Sequence, residues 1–164
     1  MNGPWSDPDP DEAYRFFREG YDKQIAGAID EAIDLYQKSL EIMPTAEAHT
    51  FLGWAYSYAN RYDAAIEECK KAIEIDPDYG NPYNDIGSYL IEKGEMNDAI
   101  PWLERAIEAK RYESYCYPHY NLGRIWEHKG YFMRALECYE TALKDNPEYS
   151  LAQRGMTRMR GMFN

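Results

Sequence analysis

Glycine recurs along this chain at a nearly fixed interval. Gly20, Gly53, Gly87 and Gly123 lie 33, 34 and 36 residues apart, and Ala32, Ala65, Ala99 and Ala135 keep the same three intervals. Two residue classes in one register, four times over, make the chain an array of one short unit. The interval is too long for a single helix or strand and fits a pair of helices.

Aligned on the glycine, the second copy reads AEAHTFLGWAYSYANRYDAAIEECKKAIEIDP, Ala46 to Pro77, and the fourth reads CYPHYNLGRIWEHKGYFMRALECYETALKDNP, Cys116 to Pro147. A small residue at the glycine lets two helices approach closely. Tyr56, Leu90 and Trp126, three positions further on, share its helical face. Gly27, Asn60, Gly94 and Gly130 suit the left-handed backbone of a helix end. The second helix then carries small or aromatic residues at its contact points: Ala32 with Tyr36, Ala65 with Ala72, Ala99 with Ala106, Ala135 with Ala142. Pro44, Pro77 and Pro147 end it, because proline cannot continue a helix and biases the residue before it away from one. Each copy is a helical hairpin that cannot bury its apolar face alone, so neighbours must stack. The first copy carries Glu19 and Lys23 where apolar residues are usual, and its series Phe17, Tyr21, Ile25, Ala28 predicts a first helix shifted by one position or rotated.

This pattern resembles the tetratricopeptide repeat, a helix-turn-helix unit of 34 residues. The resemblance implies an all-α, right-handed superhelix of four helical hairpins, at about 12–45, 46–79, 80–115 and 116–147 within 11–147, plus a C-terminal capping helix over 148–164. Leu151, Met156, Met159 and Met162 are expected to cover the open end of the last pair. Two departures stand out. Arg111 replaces the usual proline of the third copy, and Pro101 falls inside a helix predicted over Met96 to Lys110, where a local distortion is expected. Residues 1–10 alternate Pro and Asp and read as an extended tail ending at an N-cap near Asp9 or Asp11.

Charge narrows the function. The net charge is −11, which argues against nucleic acid, where a basic patch is the electrostatic footprint. Residues 1–114 hold 24 acids and 11 bases, whereas 115–164 hold 5 and 7. Arg154, Arg158 and Arg160 have no acid near them in sequence and read as a solvated helix end or an acidic docking site. No run of about 18 apolar residues exists, so membrane insertion is not expected. The start of the sequence lacks the basic and apolar regions of a secretory signal. Cys69, Cys116 and Cys138, an odd number, point to free thiols and a cytoplasmic setting.

Catalytic and metal motifs are weak. Cys116, His119 and His128 lack the second ligand pair that zinc needs. Glu67 and Glu68 read as a solvated face, and there is no phosphate-cradling loop or nucleophile elbow. No enzyme activity and no cofactor are expected.

The best functional signal comes from the resemblance, which implies that first helices of successive units line an inner groove. Carried over residue by residue, the groove takes Thr50, Phe51, Trp54 and Tyr58 from the second copy and Asn84, Asp85, Ser88 and Glu92 from the third. Tyr117, Tyr120, Asn121, Arg124 and His128 come from the fourth, with Phe17, Arg18 and Tyr21 from the first. Aromatics and arginine dominate binding hot spots; the alternative is that these aromatics pack on one another between repeats. The two-carboxylate clamp that some family members use for acidic chaperone tails is missing, since Thr50, Trp54, Asp85, Tyr117 and Asn121 occupy its positions. The expected function is a non-enzymatic adaptor for a protein or peptide partner. The alternatives are a secretion- or assembly-type chaperone for an export substrate and a self-assembling structural subunit, so self-association stays open.

Overall fold

The computed structural model describes residues 9–163. The expected N-terminal tail falls mostly on residues 1–8, outside the described residues. Nine helices account for nearly all the described chain: α1 Pro10–Ile25, α2 Ile29–Ile42, α3 Ala46–Tyr58, α4 Tyr62–Ile75, α5 Gly80–Glu92, α6 Met96–Glu108, α7 Cys116–His128, α8 Phe132–Asp145 and α9 Ser150–Gly161. The all-α class is therefore that expected from the sequence. The chain divides into two compact units, one ending at Asp76 and one starting at Pro77.

In the first unit α1 pairs with α2 and α3 with α4. Asp9 caps α1, its carboxylate accepting from the N–H groups of Asp11 (3.0 Å) and Glu12 (3.3 Å). A methyl group at Gly20 would lie 2.9 Å from the Tyr36 ring, sixteen positions on, and one at Gly53 would lie 3.2 Å from Cys69 Sγ at the same offset. The first copy thus keeps the common register, and the shift expected for α1 does not occur. The close approach at Gly20 sets the rotation of the helix, which leaves Phe17 and Tyr21 half-buried and turns Ile25 outward, 68% exposed. Asn60 ends α3 with a φ of 57°, the one described non-glycine residue in the left-handed region.

In the second unit the same offset joins Gly87 to Leu103 and Gly123 to Tyr139. Ala99, Ala106, Ala135 and Ala142 have no exposure at all, as the alanine register predicts. α6 runs through Pro101 from Met96 to Glu108 as one helix. The residue in place of the third copy's proline has a definite use. The Arg111 N–H donates to the Asp78 carbonyl (2.9 Å), and its own carbonyl accepts from the Gly80 N–H (3.0 Å), a pairing that proline cannot make. The Arg111 guanidinium also lies 4.0 Å from the centre of the Tyr79 ring. Asp145 then caps α7 by accepting from the Cys116 N–H at 2.8 Å.

α9 packs on α8 and α7. Its inward stripe is Ala152, Gly155 and Met159, with Met156 beside it. Leu151 and Met162, expected on that face, are 42% and 57% exposed. The reason is Gly155, whose close approach to the Tyr139 ring (2.7 Å from a built Cβ) fixes the rotation of the helix. Tyr139 is therefore held between two glycines, Gly123 on one side and Gly155 on the other.

Candidate partner-binding surfaces

The first unit carries a row of aromatic rings in contact, most of them edge-on or tilted to one another. Tyr14 meets Phe17 (6.5 Å between ring centres), Phe17 meets Phe51 (5.2 Å), Phe51 meets Trp54 (5.7 Å) and Trp54 meets Tyr58 (6.1 Å). Tyr21 joins at Phe51 (5.9 Å), and the fully buried Tyr36 supports the row from beneath. Helix spacing explains it: Phe51, Trp54 and Tyr58 lie three and four residues apart on one face of α3. The row is open at both ends, with Tyr14 60%, Trp54 40% and Tyr58 60% exposed. A recess bounded by Ala13, Tyr14, Phe17 and Met43 lies at one end, and another bounded by Gln24, Ile25, Trp54 and Tyr58 lies at the other.

Thr50 does not belong to this exposed surface. It is buried, and its hydroxyl donates to the Ala46 carbonyl one turn back at 2.7 Å. Glu68, read from the sequence as solvated, is also buried. It accepts from His49 Nδ1 (2.6 Å) and Lys71 Nζ (2.7 Å) and so ties α3 to α4. Burial alone would push its carboxyl up; the hydrogen bonds from His49 and Lys71 prevail and hold it below the ordinary glutamate range.

In the second unit the nominated polar residues form one chain across α5 and α7. Arg124 donates to Glu92 (2.8 Å) and to Asn121 Oδ1 (3.4 Å), Asn121 donates to Asn84 (3.1 Å), and Asn84 donates to Asp85 (3.4 Å). Asn121 is buried, and the Arg124 charge is met by Glu92. Burial pushes the Asp85 carboxyl from 3.8 up to about 7, with the Asn84 hydrogen bond opposing. Ser88 on α5 is half-buried, and His128 at the end of α7 is exposed.

Tyr117 and Tyr120 belong to a different cluster. Both set their rings edge-on to Tyr149, at 5.3 and 5.1 Å, and Tyr120 also touches Tyr139 at 5.8 Å. Tyr120 is half-buried there, while Tyr117 keeps 43% exposure. Sequence reasoning missed Tyr149, which gathers these rings, and Glu127. Glu127 accepts from Arg158 through both carboxylate oxygens (2.6 and 2.7 Å) and from Tyr139 (2.5 Å), fastening α9 to α7 and α8. Arg160 likewise meets Glu140 at 2.9 Å. The acids opposite these arginines lie about 20 and 31 residues earlier in sequence, which is why local reading found none.

The geometry agrees with the comparisons. The sequence profile of the tetratricopeptide repeat matches residues 46–79 and again 81–112. Human tetratricopeptide repeat protein 29 is 29% identical over 136 residues, 77% of this chain and 29% of its own length. The photosystem I assembly protein Ycf3 of Prochlorococcus marinus is 28% identical over 108 residues, 59% of this chain and 62% of its own. The solved structure of Pseudomonas aeruginosa pilF superposes with a TM-score of 0.84 at 25% identity, covering 92% of this chain and 68% of that one. The chain belongs to the tetratricopeptide repeat family, whose fold serves in general as a scaffold for protein–protein interaction. It spans less than a third of the first curated relatives it matches. No described helix is long and apolar enough to cross a membrane.

Proposed function

We propose that this chain is an adaptor that docks a segment of a partner protein, with the aromatic row of the first unit as the principal contact surface. The observation that carries the reading is the contiguous series Phe51–Trp54–Tyr58, of which Trp54 and Tyr58 stay open to solvent. Tryptophan and tyrosine are the residue types most enriched at energetic centres of interfaces. Here each ring leans on the next and the row rests on buried Tyr36, so docking orders few protein side chains and the entropic cost of binding stays small. In the second unit, exposed Tyr117 and His128 offer further contacts, while Asn84, Asp85, Asn121 and Arg124 engage a partner only by exchanging the hydrogen bonds they already make.

The test is a display library of short random peptides selected on the intact chain. Peptides that bind the wild type should lose about 1–2 kcal/mol or more of affinity on Trp54→Ala, the loss expected of a hot spot. The thermal midpoint should hardly move. A variant that loses stability and keeps affinity would assign Trp54 to packing and end the reading.

A second reading, an assembly factor that holds a client chain, is favoured by the likeness to a photosystem I assembly protein. It predicts that this protein suppresses aggregation of an unfolded client at equimolar ratio, which a pure adaptor does not.

A further inference from the structure

The recess at the Tyr58 end of the aromatic row contains a polar group with no partner. Gln24 is 7% exposed, and its side-chain carbonyl accepts from the Tyr36 hydroxyl at 2.8 Å. Its Nε2, equally buried, meets no hydrogen-bond partner among the described residues. A buried amide N–H without an acceptor is costly, and native proteins carry few of them. Gln24 lines a recess of about 440 Å³ together with Ile25, Gly27, Ile29, Trp54 and Tyr58. That volume falls within the range of small-ligand pockets.

The local sequence builds this recess. Gln24 is the penultimate residue of α1, so it stands beside the α1–α2 turn, where its backbone carbonyl accepts from the Gly27 N–H at 3.0 Å. Gly27, at a φ of 81°, makes that turn and would meet nothing within 4 Å if it carried a Cβ, which leaves the mouth open. Ile25 stands at the rim, 68% exposed, and Trp54 and Tyr58 form an aromatic wall. The recess thus combines apolar walls with one buried donor.

We propose that this recess is an anchor site for an uncharged apolar side chain of the partner segment, with a carbonyl oxygen next to it accepting from Gln24 Nε2. This rests on the reading of the aromatic row as the docking surface and adds the chemistry of what is read there. The acceptor is neutral because of the surrounding charge. Residues 1–76 hold 16 acidic and 7 basic side chains. The nearest cation on α1, Lys23, is paired with Glu31. A carboxylate would enter against that field, whereas a peptide carbonyl or carboxamide would not.

The experiment uses the isotopically labelled full chain and its amide nuclear magnetic resonance spectrum. The probes are N-acetyl-leucinamide, N-acetyl-phenylalaninamide and N-acetyl-leucine with its free carboxylate. Both amides should move the Gln24 side-chain resonances and the Trp54 indole resonance together. The carboxylate should bind at least about threefold more weakly. The double variant Gln24→Met/Tyr36→Phe replaces both hydrogen-bonding partners by apolar groups of similar shape, so it should fold, and its affinity should fall by at least about fivefold. Ile25→Glu, an exposed change at the rim, should weaken both amides and leaves the core untouched. Unmoved Gln24 resonances, undiminished affinity in both variants, or equal binding of the carboxylate would each overturn the site. Movement of Phe51 and Trp54 with Gln24 unmoved would overturn this inference and leave the aromatic row standing; a row that moves with no probe counts against both.

Discussion

Single residues in this protein are constrained most where a ring meets a glycine. Tyr139 is held between Gly123 and Gly155, and its hydroxyl donates to Glu127. With a wall on each side the ring has nowhere to move, so Gly123→Ala should cost about 1–3 kcal/mol, the usual penalty of overpacking. Denaturant midpoints of Gly123→Ala and of Gly130→Ala separate sterics from backbone strain, because a Cβ at Gly130 meets nothing and acts only through its φ of 78°. Two carboxyl groups have their pKa moved in opposite directions. Glu68 is held below its ordinary range, so its contribution to stability is complete above that range and is lost as pH falls through the lowered value. Glu68→Gln should therefore lower the melting temperature near neutral pH and flatten the acid side of the stability profile. Asp85 is raised to about 7, so its unfolded form ionises first and stability falls as pH rises from about 4 to about 7. Asp85→Asn should raise the melting temperature at pH 8 and leave it unchanged at pH 4; a loss of stability at both would show that the carboxylate is held by the fold rather than tolerated by it.

At the level of helices, α9 shows what a linear pattern can and cannot convey. Its four apolar residues, Leu151, Met156, Met159 and Met162, were legible as a helix that packs on its neighbour, and Met156 and Met159 do so. The rotation was not legible, because it follows from Gly155 against a ring sixteen residues earlier, and a glycine has no hydropathy to contribute. The Arg158–Glu127 pair was equally hidden by a separation of 31 residues. By contrast, α1 to α8 follow from glycine and alanine spacing, since a close approach of two helices needs a small residue at each crossing. The candidate site was legible in part: the sequence marks Trp54 and Tyr58 as aromatics outside the repeat core, but nothing in it marks Thr50 as back-bonded within its own helix or Gln24 as missing a partner. Arg158→Ala tests the fastening of α9. The guanidinium is half exposed, so water screens the pair and the loss should be only about 1 kcal/mol. Hydrogen exchange should rise in Ser150–Gly161 while α5 and α6 keep their protection.

The charge of the whole molecule limits what it binds. The first unit carries 16 acids to 7 bases over residues 1–76, and the second 13 to 11 over 77–164. A partner rich in carboxylates approaches the first unit against its field, and neither unit offers a pair of free cations in compensation where the resemblance places the groove. Of the two arginines nominated there, Arg18 and Arg124, one lies in each unit, and Arg124 already meets Glu92. A peptide ending in Glu-Glu-Val-Asp should therefore show no micromolar binding by calorimetry at physiological salt. A neutral apolar peptide that uses the aromatic row should bind with little dependence on salt, because stacking and burial are not screened. A lysine-bearing version of the same peptide should gain affinity as salt is lowered and the screening length grows beyond about 8 Å. Measuring all three peptides across a salt series decides the matter. If the acidic peptide binds best and tightens at low salt, the docking surface is a cationic one, the arginines of α9 become its candidates, and the aromatic row is packing.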